Sequence, residues 1–354
     1  MSRIRQSFAP RRVMTIALTF AIALTGVAIF HVLDLPLPWL LGPIGACLLA
    51  ALAGVRLGAI KPVNDSMRTI LGVAVGATLS PAVLATFPNM WPTLALIPVS
   101  VILIGLIGVP YFIRFWGYDF PTAYYAAMPG GLQDMVLFGK EAGGDIRTLS
   151  LIHATRVMVI VCTLPFLLIG IWEVDLKNPP GDPIGDVPLH ELALMVVCSF
   201  IGWQGAKRIG MFGASILGPL IVAAGMSLGG LLHFRPPAEA IWAAQFFIGL
   251  NIGANYSGVT MAEVRRDLVA GLGFCVILMV LTIIFVEGVL FAGLSTGLEA
   301  LLAFAPGGQA EMTVLALIVG ADVAFVVAHH LLRIVFVILG APLAVRLFAP
   351  KPPD

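Results

Sequence analysis

Apolar and polar positions in this chain fall in long blocks rather than in short amphipathic stripes. Apolar blocks lie at about 13–33, 37–55, 67–86, 91–114, 121–139 and 146–171, and again at 189–206, 211–232, 240–260, 267–292, 298–319 and 321–347. Most are long enough to cross a hydrocarbon core about 30 Å thick as an α-helix. Between the sixth and seventh runs the one sustained polar stretch, 173–190, carries Asn178, Pro179, Pro180, Gly181, Asp182 and Pro183, a composition that cannot continue a helix. It divides the chain into residues 1–172, a linker at 173–188, and residues 189–354.

The two halves are copies. Met128-Pro129-Gly130-Gly131 matches Ala305-Pro306-Gly307-Gly308 at a shift of 177 residues, and the shift persists without a gap. It sets Asp134 on Glu311, Gly143 on Gly320, Asp145 on Asp322, His153 on His330, Arg156 on Arg333 and Pro165 on Pro342. Nearer the start of each half, Gly72, Gly76 and Ala77 fall on Gly249, Gly253 and Ala254, and Leu41-Gly42-Pro43 meets Leu217-Gly218-Pro219 at a shift of 176. An internal repeat of this length marks a duplicated architecture.

Composition narrows the class. Of 354 residues 59% are hydrophobic and 11% charged, and the mean hydropathy of +1.01 is far above that of soluble domains. Lipid is therefore the expected solvent and partner. A formal net charge of +1 supplies no basic face for nucleic acid. Cys47, Cys162, Cys198 and Cys275 stand singly in apolar runs, without the paired spacing of a metal or redox centre. The basic N-terminus, with Arg3, Arg5, Arg11 and Arg12, precedes an apolar run without a small-residue cleavage site, which reads as a retained first helix.

Charge placement decides between topologies. If each Pro-Gly-Gly run dips in and returns to its own side, Arg56, Lys61, Arg68, Arg114, Lys207, Arg208, Arg265, Arg266 and Arg346 all become cytoplasmic, and Arg235 alone lies outside. The expected fold is thus an all-α polytopic membrane protein of two inverted repeats. Each has about five transmembrane helices and one re-entrant or broken Pro-Gly-Gly helix, and both termini are cytoplasmic. Twelve full crossings are the alternative.

Pro-Gly-Gly must interrupt its helix, because proline removes a donor and glycine frees the backbone. Broken backbone at membrane depth is tolerated where it is buried in protein or lines a wet cavity. The following half-helix aims its N-terminal amides there. Gly130, Gly131, Gln133 and Asp134, with Gly307, Gly308, Gln309 and Glu311, are the candidate substrate-binding residues; a proline kink with N-cap carboxylates is the plainer reading. His153 and Arg156, three apart and repeated as His330 and Arg333, share a helical face. They offer a charge for an anionic solute and a histidine for proton handling, unless each arginine neutralises a nearby carboxylate. Asp145 and Asp322 join the ion-coupling candidates or cap their helices. The glycines at 42, 72, 76, 218, 249 and 253 read as close helix packing. Adjacent His329 and His330 diverge by about 100°, so no metal site is expected.

With its paired Pro-Gly-Gly runs, Leu40-Leu41-Gly42-Pro43 and His-x-x-Arg pairs, the chain resembles the AbrB-type duplicated membrane protein family of bacteria over about residues 13 to 347. Members carry inherited labels of ammonia monooxygenase or of regulator of gene expression. The resemblance implies the bacterial inner membrane and the duplicated fold, and supplies no substrate. The sequence shows no metal or nucleotide fingerprint for oxygenase chemistry, so no cofactor and no enzymatic activity are expected. Duplicated halves with glycine-rich re-entrant runs also look like citrate- and glutamate-type secondary transporters, an analogy of fold. The expected function is a secondary transporter of a small anionic or zwitterionic solute, coupled to H+ or Na+ and working by alternating access. A membrane sensor or scaffold acting indirectly on gene expression is the alternative, an intramembrane enzyme ranks behind both, and oligomeric state is left open.

Overall fold

A computed structural model describes residues 10–79, 81, 85, 87–176, 179–211, 213–258 and 264–348. Arg3 and Arg5, Lys177 and Asn178 of the linker, the C-terminal end, and the side chains of Arg11, Gln133 and Arg346 lie outside that description. Among the described residues there are fourteen α-helices and no strand. The first half supplies α1 (Pro10–Val32), α2 (Pro38–Leu52), α3 (Lys61–Gly76), α4 (Trp91–Trp116), α5 (Phe120–Ala127), α6 (Leu132–Glu141) and α7 (Ile146–Trp172). The second supplies α8 (Leu189–Arg208), α9 (Ala214–Leu228), α10 (Ala238–Ala254), α11 (Val269–Phe291), α12 (Gly297–Phe304), α13 (Gln309–Val319) and α14 (Val323–Phe348). Seven helices follow seven in the same order, as the duplication requires.

Six of these are long and apolar enough to cross a membrane, at Arg12–Val32, Pro88–Trp116, Ile146–Trp172, Leu189–Arg208, Arg265–Phe291 and Val323–Val345. They make this a multi-pass membrane protein. The ten crossings expected also include α2, α3, α9 and α10, which are shorter: at 15 to 17 residues they reach about 22–26 Å. Helix α2 starts after Pro36 and ends before Gly54, which has a positive φ of 85°. Helix α3 carries Asn64, Asp65, Ser66 and Arg68 in its first turns. The described part of 173–188 contains no helix. It is tied down by Ala238 N donating to the Asp182 carbonyl at 2.9 Å and Ile184 N donating to Glu239 at 3.1 Å.

The packing divides the chain into two compact units, and each draws on both halves. The first comprises residues 1–85, 164–259 and 313–324. In it α2 packs on α1 and on α10, while α9 packs on α8 and on α3, so the second helix of each half lies against the third helix of the other. Glycines make this contact. A Cβ on Gly72 would fall on the Ile216 carbonyl and one on Gly249 on the Leu40 carbonyl; Gly26 and Gly42, and likewise Gly202 and Gly218, touch backbone to backbone. The expected packing role of these glycines is thereby seen directly.

The second unit comprises residues 86–163, 260–312 and 325–354. Here α4 packs on α5 and α11, and α11 on α12, around a core that includes Phe112, Tyr125, Met128, Met135, Leu149, Phe274 and Leu278. At one end the Tyr118 hydroxyl donates to Asp267 Oδ1 at 2.7 Å, and Thr148 Oγ1 lies 3.1 Å from Asp267 Oδ2. Arg266 donates to the Trp116 carbonyl at 2.7 Å and covers the Tyr118 ring. Burial, and then the bond to Asp267, push the Tyr118 hydroxyl above its ordinary pKa.

Candidate functional site

Both Pro-Gly-Gly runs break their helices, α5 from α6 and α12 from α13. The four pieces have 8, 10, 8 and 11 residues, about 12–17 Å each, too short to cross alone. Pieces α5 and α6 fold back on each other. Asp145 N donates to Thr122 Oγ1 at 2.8 Å, the Tyr125 and Phe138 rings lie 6.4 Å apart, and Gly139 abuts Tyr125. In a continuous helix Thr122 and Asp145 would stand about 35 Å apart.

The glycines of the breaks do not use the left-handed region. None of Gly130, Gly131, Gly307 and Gly308 has a positive φ; Gly131, for example, is extended at φ −65°, ψ 140°, a conformation open to any residue. What they provide is space. A Cβ on Gly130 would strike Met135, one on Gly307 would meet Met312 and Ile160, and one on Gly308 would strike the Glu311 carboxylate.

A broken helix leaves its last carbonyls without intrahelical donors, and the His-x-x-Arg pairs satisfy them. From α7, His153 Nε2 donates to the Tyr125 carbonyl at 2.9 Å, and Arg156 donates from Nη1 to Met128 O at 3.0 Å and from Nη2 to Gly130 O at 2.7 Å. From α14, His330 Nε2 donates to Leu302 O at 2.9 Å, and Arg333 donates to Ala305 O at 2.8 Å and Gly307 O at 2.9 Å. Each acceptor obeys the 177-residue shift. Since a carbonyl only accepts, both histidines carry their proton on Nε2. His330 Nδ1 then accepts from Arg333 Nη2 at 2.8 Å, whereas His153 Nδ1 has no partner. That is the point at which the copies differ.

All four side chains are buried; Arg156 is 2% exposed and Arg333 4%. Both arginines keep an Nε–H without a partner. A Cβ on Gly307 would lie against Ile160, one turn beyond Arg156 on α7, so the helix that caps the first break also passes beside the second, within one unit. Gln309 and Glu311 are buried in the first turn of α13, Asp134 is half-buried in the first turn of α6, and the side chain of Gln133 is outside the described set. Asp145 caps α7, with its Oδ1 accepting from Arg147 N at 2.9 Å and its Oδ2 from Thr148 Oγ1 at 2.9 Å. Asp322 stands just before α14.

Sequence reasoning gave the His-x-x-Arg pairs to solute and proton or each arginine to a nearby carboxylate, and passed over their capping of backbone carbonyls. The spacings of 28 and 26 residues from each break to its arginine are the same in both halves, as the 177-residue shift requires, and do not by themselves name a carbonyl partner. His329, read in the sequence only as a neighbour that diverges from His330, has its Nδ1 donating to Phe325 O at 2.7 Å and its Nε2 paired with the Thr93 hydroxyl at 2.9 Å.

Fold and site together define a class: a duplicated, all-helical, multi-pass membrane protein with two arginine-capped helix breaks in one compact unit. Within that class the chain belongs to the AbrB family, whose model, described as transition state regulatory protein AbrB, matches residues 39–349. It is 27% identical to the uncharacterized protein YhjN of Bacillus subtilis (strain 168), over 93% of this chain and 89% of that one. It is also 25% identical to a protein of Escherichia coli (strain K12) provisionally named regulator AbrB, over 91% of this chain and 94% of that one.

Proposed function

We propose that the protein is an ion-coupled secondary transporter of a small anionic or zwitterionic solute, working by alternating access in the bacterial inner membrane, and not an enzyme. The observation that carries this reading is the pair of buried helix breaks in one unit, each held by an arginine on its carbonyls. Irregular backbone of this kind, paired across duplicated halves, is the usual setting of a midplane transport site. On this reading the halves are inverted, both Pro-Gly-Gly hairpins are re-entrant, and both termini are cytoplasmic. The meeting of Thr122 with Asp145 supports the first hairpin's return to its own side.

Solute and coupling ion sit against the half-helix N-termini, at Gly130, Gly131, Gln133 and Asp134 and at Gly307, Gly308, Gln309 and Glu311. Arg156 and Arg333 act from behind the breaks: their Nη groups hold the backbone, and their charge favours an anion. His153, with its open Nδ1, is better placed for H+ handling than His330. Asp145 and Asp322 remain candidates for ion coupling at the mouths of α7 and α14.

Purified protein reconstituted into liposomes is expected to show solute flux that depends on an H+ or Na+ gradient across a panel of carboxylates and amino acids. Folded protein with no flux over that panel overturns the reading. The name regulator carried by the Escherichia coli relative favours a second reading, a membrane sensor acting on gene expression. Conservative Arg156→Lys and Arg333→Lys variants that keep all flux but lose a transcriptional response would select it.

A further inference from the structure

Three histidines lie in the second unit on the helices that carry the arginines: His153 on α7, and His329 and His330 on α14. A buried imidazolium is tolerated only where both of its ring N–H groups meet acceptors. Two of the three lack that arrangement. His330 gives Nε2–H to Leu302 O, and its other nitrogen accepts from Arg333, so a second N–H would break the arginine contact. His153 Nδ1 has no partner, and a proton placed there would find no acceptor.

His329 meets the requirement. Its Nδ1 lies 2.7 Å from Phe325 O and its Nε2 lies 2.9 Å from Thr93 Oγ1, a hydroxyl that also lies 2.8 Å from Met90 O. A carbonyl only accepts, so Nδ1 carries a hydrogen in either charge state. The hydroxyl has one hydrogen and two places to put it. Pointed at Nε2, it serves the neutral ring; pointed at Met90 O, it turns a lone pair to Nε2–H and serves the cation. The same heavy-atom positions thus satisfy two states that differ by one proton. The rings of Phe325 and Phe304 flank the imidazole, with centroids at 4.1 and 5.8 Å, and aromatic faces attract a cation.

The duplication sets this pair apart. Shifted by 177 residues, Thr93 falls on Ala270 and His329 on Ile152, both buried in the apolar core of the same unit. The first copy fills the equivalent positions with hydrocarbon, so the fold itself does not require the polar pair.

We infer that His329 is the site of the coupling proton, with the Thr93 hydroxyl as the rotor that admits it. On loading, one proton from water bonds to the Nε2 lone pair while the Thr93 hydrogen swings from Nε2 to Met90 O; release reverses both. Both side chains are 0% exposed, which suits an occluded state, since a coupling site open to both faces would leak. Loading adds a positive charge one helical turn from Arg333, on the same face of α14. Of the other titratable groups around the ring, His330 has both nitrogens committed, and Glu299 of α12 is held by Ser295 and Thr296. Glu311 stands at the second break, and α4 presents no titratable side chain before Tyr111. The added charge strengthens the pull of the second break on an anion, and an anion there favours the proton in return. The coupling role rests on the transport reading; the proton site rests on the hydrogen bonds alone.

The first test needs no transport. The full chain in lipid nanodiscs is labelled with 15N-histidine, and the His329 signals are assigned by their loss in Thr93→Ala/His329→Ile, which installs the residues of the other copy. The ring is expected to pass from the neutral Nδ1–H form to the doubly protonated form as pH falls from about 8 to about 4. Thr93→Ala and Thr93→Val remove the acceptor of the cation and should require at least about tenfold more acid, whereas Thr93→Ser should titrate like the parent. A His329 ring that stays neutral throughout, or a folded alanine or valine variant that titrates like the parent, overturns the proposal. The second test uses liposomes and a solute that the parent carries. Thr93→Ala/His329→Ile should keep solute exchange and lose accumulation driven by a pH gradient. Accumulation equal to the parent's, or parent accumulation driven by Na+ and indifferent to pH, overturns the coupling role. Absence of all flux in the parent overturns the transport reading and the coupling role with it, and the first test then decides the proton site by itself.

Discussion

Arg156 and Arg333 show how one residue type serves fold and function together. Each guanidinium forks onto two carbonyls that the helix break has released, and a hydrogen bond to a charged group contributes about 1.5–3 kcal/mol. Arg156→Ala or Arg333→Ala is therefore expected to destabilise the protein by about 3–6 kcal/mol, read as loss of folded protein in a detergent melting assay. Lysine keeps the charge but cannot make the planar two-pronged contact, so the lysine variants should recover only part of the stability. If alanine at both positions leaves the melting temperature unchanged, the carbonyl contacts contribute nothing to stability. The arginines were visible in the sequence as costly charges in apolar runs, and so was their duplication. Their partners were not, because a backbone carbonyl has no sequence identity.

At the scale of elements, the informative piece is the α5–α6 hairpin. Proline and paired glycines announced a break at 129–131, but a break alone is compatible with a kinked crossing. The direction taken after it depends on Tyr125 meeting Phe138 and Thr122 meeting Asp145, contacts that no local pattern encodes. Single cysteines at Asp119 and Asp145, in a background with Cys47, Cys162, Cys198 and Cys275 replaced, test this hairpin in the membrane. An impermeant thiol reagent is expected to reach both from the same side; labelling from opposite sides would show that the segment crosses.

For the whole molecule, the duplication and the packing divide the chain differently. The copies as read from the sequence are residues 1–172 and 189–354, and each compact unit takes helices from both. In the first unit α2 packs on α10 and α9 on α3, through glycines that touch backbone. Neither half can bury its own second and third helices alone. Expressed separately, the halves are therefore expected to aggregate or be degraded, and co-expressed they should yield a stable complex that copurifies. A folded, monodisperse single half would contradict this interleaving.

The sequence by itself determined the membrane class, the helical content, the duplication with its 177-residue register, and the places where helices must break. Those properties follow from hydropathy, helix-breaking residues and self-similarity, all of which are local or periodic. Only the tertiary structure decided that the glycines of the breaks provide room rather than positive φ, that the His-x-x-Arg pairs cap freed carbonyls, and that the units mix the halves. Each of these depends on which distant backbone atoms come into contact, and side-chain order along a chain does not specify that.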